Sequence, residues 1–176
     1  MFENSFFYVT LALVIIAISH KSLIFLNILS IIKDYYVFLF KHHLINLFVL
    51  VPCLLSVSIC LKTNLNNNTI DNMMIIIVLL ISVYYSYYSF YSEKNYADEK
   101  DQKVYSDKLK NAEQCLLIIS YNILISIVSL IMCFISYDNG FSNYYLRFVI
   151  TISIYYLFIQ SLFNLMIIMK RNYKLK

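Results

Sequence analysis

Residues 115–137 read CLLIISYNILISIVSLIMCFISY, twenty-three residues without a formal charge, preceded by a highly charged run and followed by Asp138-Asn139-Gly140. An uncharged apolar run of this length covers the ~30 Å hydrocarbon core of a bilayer at the ~1.5 Å rise of a helix, and a core helix of a soluble domain has no need of it. The stretch therefore reads as a transmembrane helix. Within it Asn122, Ser126, Ser129, Cys133 and Ser136 follow one another at steps of four, three, four and three, which puts the small and polar side chains on one face. That face is expected to meet other helices, because lipid offers a buried hydroxyl or amide nothing to bond.

The whole chain agrees with this start. It is 61% hydrophobic and 14% charged over 176 residues, with a mean hydropathy of +0.70, outside the range of a soluble domain. One Gly, one Pro and two Arg, against abundant Ile, Asn, Tyr and Lys, suggest an AT-rich coding sequence. The net charge is +4, but the basic residues sit beside apolar runs and make no continuous stripe. They read as topology markers, and nucleic acid is not the implied partner.

The expected fold is all-α, a single polytopic helical bundle over residues 1–176 with about five spans. The first, 2–19, has no basic leader, which counts against a signal peptide although Ala17 and Ser19 resemble a cleavage site. Residues 23–40 are apolar but interrupted by charge. Read as a helix they carry Asn27, Ser30 and Asp34, continued by Lys41, as a narrow polar stripe, which favours a helix lying in the interface over a true span with Lys33 and Asp34 paired inside the bundle. Adjacent His42 and His43 diverge by about 100° on a helix and read as interfacial anchors. The second span, 44–61, holds Pro52, where a kink is expected. Its polar positions Asn46, Cys53, Ser56 and Cys60 again fall on heptad spacing. The third span, 73–92, has Ser82, Ser86 and Ser89 on one face and a tyrosine-rich second half that reads as an aromatic belt.

Residues 93–114 form the long water-soluble stretch, with five Lys against six Asp or Glu. A helical cytosolic elbow is expected there, supported by the Glu99–Lys103 pair at i, i+4, with the chain reversing near 95–98 or at Ser106. Glu99, Lys103 and Lys108 are the candidates for docking a cytosolic partner; the plainer reading is a solvated connector. After the fourth span, 115–137, comes the fifth, 146–169, in which Ser153, Tyr156, Gln160 and Asn164 share a face, and then a basic tail, 170–176.

Orientation follows from charge. Five spans put residues 20–43, the elbow and the tail on one side, which then holds twelve of the fourteen Lys and Arg, with Lys62 and Arg147 opposite. By the positive-inside rule that side is the cytoplasm or matrix, so the N-terminus is outside and the C-terminus inside. The second and fourth spans run in parallel and share Cys53-x-x-Ser56-x-x-x-Cys60 against Ser126-x-x-Ser129-x-x-x-Cys133, an echo that a duplication would produce.

The chemistry is mostly negative. No ionisable side chain stands at the centre of a span, and proton relays and ion-coupled carriers need one there. There is no phosphate loop, nucleophile elbow or metal-spaced cluster, so neither an enzyme nor a cofactor is expected. Cys53 and Cys60 lie seven apart without a His or acid beside them, a poor metal site. Asn122, with Gln160 and Asn164 on the next helix, is the candidate amide network, read as packing glue ahead of a pore lining or substrate contact.

In size and layout the chain resembles the small polytopic membrane proteins of bacteriocin-immunity and phage-defence systems. The resemblance covers architecture and composition and carries no residue roles. It implies a non-enzymatic bundle in a bacterial inner membrane that acts on membrane permeability, with the bilayer and further copies of itself as partners. The alternatives are a structural subunit of a larger membrane complex, such as a respiratory assembly of the mitochondrial inner membrane, and a small-solute transporter component.

Overall fold

The computed structural model describes residues 28–62, 66–93, 102–138 and 144–174, and all that follows concerns those residues. Among them 97% are helical and none is in a strand. The helices are α1 (Ile28–Lys41), α2 (Val51–Lys62), α3 (Asn67–Glu93), α4 (Gln102–Asp138) and α5 (Tyr144–Lys174), with a π-helical turn at Asn46–Leu50 leading into α2. The expected first span, 2–19, and Glu99 of the elbow lie outside the described residues.

Three helices are long and apolar enough to cross a membrane: Asn67–Ser92, Gln102–Ser136 and Tyr145–Asn172. The expected span 44–61 corresponds to a shorter apolar helix, Asn46–Lys62. Its first turn is widened for a local reason. Pro52 has no N–H to give the carbonyl of Phe48, and its ring crowds that carbonyl. The backbone accommodates this by a turn in which the Val51 N–H reaches back to the Asn46 carbonyl, one residue further than in an α-helix.

Helix ends follow from the residues that stand there. Asn66 caps α3, its side-chain oxygen accepting the Thr69 N–H at 2.8 Å and the Thr69 hydroxyl at 2.7 Å. At the end of α1 the Leu44 N–H bonds to the Leu39 carbonyl and the His43 N–H to that of Phe40, with His43 at a φ of 55°. Such a stop usually takes glycine, and this chain has only one. Histidine fills the left-handed position instead. The adjacent histidines thus end α1 and send the chain back toward α2.

α4 runs 37 residues without a break, about 55 Å, so it extends well beyond the thickness of a hydrocarbon core. Its first three turns are the second half of the expected elbow. Ser106 lies inside this helix, which rules it out as the reversal point; the 95–98 alternative falls outside the described residues.

α4 is the centre of the packing, with α3 on one side and α5 on the other; α2 lies along α5 and α1 along α4. Two side-chain contacts fix the antiparallel register of α4 and α5. Arg171 donates to Gln114, and eight residues on along α4 and seven back along α5 Asn164 donates to Asn122. Continuing at that register places Ser126 level with Gln160.

The apolar core falls into two clusters. One gathers Tyr35, Phe38, Leu39, Phe48, Tyr84 and Ile118 with their neighbours; the other gathers Ile70, Met73, Ile77, Cys133 and Ile154 with theirs. Between them along α5 stand Gln160, Ser161 and Asn164, and along α4 Ser126 and Ser129, all buried. The bundle is therefore two greasy halves with a polar layer between.

Candidate functional site

The polar layer is assembled from four helices. Asn122, Gln160 and Asn164 are each 0% exposed. Asn164 is the hub: its Nδ2 donates to Asn122 Oδ1 at 2.9 Å, and its Oδ1 accepts the Tyr35 hydroxyl from α1 at 2.8 Å. The ring of Tyr35 lies flat on that of Tyr121, centroids 3.7 Å apart and 8° from parallel, and the Tyr121 hydroxyl points to Gln160 Oε1 at 3.4 Å. From the other side Tyr84 of α3 reaches across to α5, its hydroxyl 2.7 Å from the Ser161 carbonyl and 2.8 Å from its Oγ.

The layer is not fully satisfied. Asn122 Nδ2, Gln160 Nε2, Ser126 Oγ and Ser129 Oγ are buried without a hydrogen-bond partner. Four such groups are costly in a water-poor interior, about 1–3 kcal/mol each by analogy with buried donors elsewhere. A serine hydroxyl has an inexpensive remedy in the carbonyl one turn back, which Ser82 and Ser86 use at 3.1 and 3.0 Å on the outer face of α3. The two amide nitrogens have none.

The structure places the candidates of the sequence as follows. Asn122, Ser126, Ser129 and Cys133 are all buried along α4, and Gln160 and Asn164 are buried beside them on α5. Ser56 is buried on α2 with its hydroxyl on the Cys53 carbonyl. Asn46 is exposed at the π turn, like Cys53 one heptad on, and joins nothing in the layer. Cys53 is exposed while its counterpart in the supposed repeat, Ser126, is buried. The α3 serines expected to share one face lie on or near the outside, Ser82 and Ser86 exposed. Lys103 and Lys108 stand on the charged N-terminal part of α4, exposed and half-buried respectively.

Three tyrosines, Tyr35, Tyr84 and Tyr121, carry the layer, although the sequence marks one of them only as part of an aromatic belt and the others not at all. Tyr84 had a signal: it continues the steps of three and four set by Ile70, Met73, Ile77 and Leu80, the buried edge of α3. Tyr35 sits with Phe38 and Leu39 on the face of α1 that turns away from exposed Lys33 and Asp34.

A second cluster lies where α1, α4 and α5 meet at the charged end. The Arg171 guanidinium bonds to Gln114 and stands 5.1 Å over the Phe38 ring, whose other neighbour is His42 at 4.7 Å. Partial desolvation, then the charges of Arg171, Lys41 and Lys110, hold His42 below the usual histidine range. The sign follows: the unfolded chain takes up this proton at a higher pH than the folded one, so stability is highest with His42 neutral and falls as the pH drops through the ordinary histidine value. The midpoint of thermal unfolding is expected to fall between about pH 7 and 5.5 and to lose most of that slope in His42→Gln. An unchanged slope in the variant would assign the effect to other groups.

Among the described residues no three of His, Cys, Asp or Glu come together as a metal site. The layer of amides, phenols and hydroxyls can hold a helix register or offer hydrogen bonds to an uncharged molecule. Its described side chains include no carboxylate, imidazole, ammonium or guanidinium. These features define an all-α bundle with helices suited to a membrane. No family model, curated protein or solved structure matches the chain.

Proposed function

We propose that this chain is a non-enzymatic integral membrane bundle that assembles with further copies of itself and acts on membrane permeability, as the membrane component of a bacterial defence or immunity-type system. One observation carries the reading. Polar side chains at mid-helix on α4 and α5 are turned into the protomer, while Leu54, Ile75, Leu79, Val149 and Met166 cover the outside of α2, α3 and α5. A surface of that kind is stable only against lipid or another membrane chain. In this reading α2 completes a crossing as the shorter span, the charged ends of α1, α4 and α5 face the cytoplasm of a bacterial inner membrane, and α1 docks near the interface on the inner side. The polar seam fixes helix register inside each copy, and the effect on permeability belongs to the assembly.

A structural subunit of a larger membrane complex is the second reading, favoured by one feature. α3 buries 22% of its apolar window against 44% for α4, and its outer face carries Tyr85, Tyr88 and Phe90, residues that suit a protein neighbour as well as lipid. The discriminating experiment is the native mass after gentle solubilisation from the original membrane, with every bound chain identified. A homo-oligomer that conducts in liposomes supports the first reading. A stoichiometric hetero-complex replaces it with the second, and a silent monomer overturns both.

A further inference from the structure

The charged end of the bundle holds more cations than its own side chains neutralise. Lys41 closes α1, His42 follows it, Lys110 stands on α4 one turn before Gln114, and Arg171, near the end of α5, bonds to Gln114 and shares the Phe38 ring with His42. Among the described residues no acidic side chain pairs with any of the four. Like charges drawn from three helices repel one another unless an anion lies between them.

Their level along the bundle says which anion. The apolar run of α5 ends at Met169, that of α1 at Phe40, and that of α4 begins at Cys115, so the three cations and His42 stand just past the end of all three. This is the depth at which a lipid phosphate lies beside a spanning helix, and basic pockets between helices on the cytoplasmic side are suited to such groups. Arg171 is already oriented for the task. Its guanidinium is stacked over Phe38 and spends a donor on Gln114, which leaves further N–H groups in a fixed fork.

We propose that Lys41, Lys110 and Arg171, with the uncharged His42 ring beside them as a hydrogen-bond donor, form a site for the phosphate of an anionic phospholipid headgroup in the leaflet at that end of the bundle. The site rests on the reading of the chain as an integral membrane protein. It does not depend on what the assembly does to permeability.

The test uses the full chain in lipid nanodiscs, made of phosphatidylcholine alone or with phosphatidylglycerol admixed, and reads the thermal midpoint and the lipids retained in native mass spectrometry. Phosphatidylglycerol is expected to raise the midpoint and to be retained in preference to phosphatidylcholine. Retention should weaken roughly fivefold for each cation removed, the equivalent of ~1 kcal/mol per basic residue at a membrane surface. Lys110→Gln and Arg171→Gln test this separately. Lys110 is exposed, so its variant keeps the experiment readable should loss of the Arg171 contacts disturb the fold. Equal retention by wild type and Lys110→Gln in discs where both are folded overturns the site. Inorganic phosphate added to phosphatidylcholine discs is expected to change nothing; an equal rise in midpoint would make the ligand a soluble phosphate and overturn the lipid assignment. A chain that does not enter discs of either composition sinks the membrane reading itself, an outcome distinct from equal retention.

Discussion

Asn164→Leu is expected to lower the unfolding free energy of the bundle by about 2–4 kcal/mol. Asn164 is wholly buried and serves two partners at once, accepting from Tyr35 at 2.8 Å and donating to Asn122 at 2.9 Å. Leucine branches at the same carbon, so the loss is chiefly of hydrogen bonds. It strands the Tyr35 hydroxyl and the Asn122 carbonyl oxygen together, each at about 1–3 kcal/mol. Single interhelical bonds in membranes average only ~0.6 kcal/mol, because the separated helices find other partners. The size of the effect here comes from stranding two groups with one change. Asn122→Leu removes only one of these bonds and should cost less than half as much. The double variant should cost less than the two singles added, since the bond between the asparagines is lost once. Adding Tyr35→Phe to Asn164→Leu should recover about 1 kcal/mol by removing a stranded hydroxyl. Reversible unfolding in mixed micelles, run as a double-mutant cycle, measures all four. A change under about 0.5 kcal/mol for Asn164→Leu would mean that the hub is not formed.

How far the residues alone lead can be seen in the same layer. The step of four, three and four from Asn122 to Cys133 marks a buried edge because helical period and small polar side chains point the same way. Gln160 and Asn164 are legible for the same reason. Tyr84 is harder, since a tyrosine near the end of an apolar run looks like an interface anchor whether or not its hydroxyl reaches a neighbouring helix. Only its place on the Ile70, Met73, Ile77 and Leu80 edge separates the two. The stack of Tyr35 on Tyr121 was out of reach, as it depends on how α1 turns back at His43, a left-handed residue that no spacing announces. Pro52 announces a disturbance but not its form. A widened turn relieves the clash with the Phe48 carbonyl. The basic end illustrates a third case. Charge counting treats Lys41, Lys110 and Arg171 as topology markers one by one, and their nearness follows from how the ends of α1 and α5 pack beside the third turn of α4.

Ser129 offers a contrast in sign at a single position. It is 1% exposed on α4, and its hydroxyl has no partner. Ser129→Leu must fit an isobutyl group into packed helix contacts, which strains rotamers and backbone by about 1–3 kcal/mol or more. In a soluble core the added methyl groups would return part of that through burial. In a bilayer they return almost nothing, because lipid tails solvate a leucine as well as a protein interior does. The loss is therefore expected at the upper end, about 3 kcal/mol, with the helices pushed apart at that level. Ser129→Ala removes only the unpaired hydroxyl and should be neutral or stabilising by up to about 1 kcal/mol. Ser126, 2% exposed and equally without a partner, should repeat the pattern. Unfolding in the same micelles decides between the alternatives. If alanine costs as much as leucine, the hydroxyl is bonded and the layer is better satisfied than its geometry indicates. If leucine is tolerated, the helices do not meet closely beside Ser129.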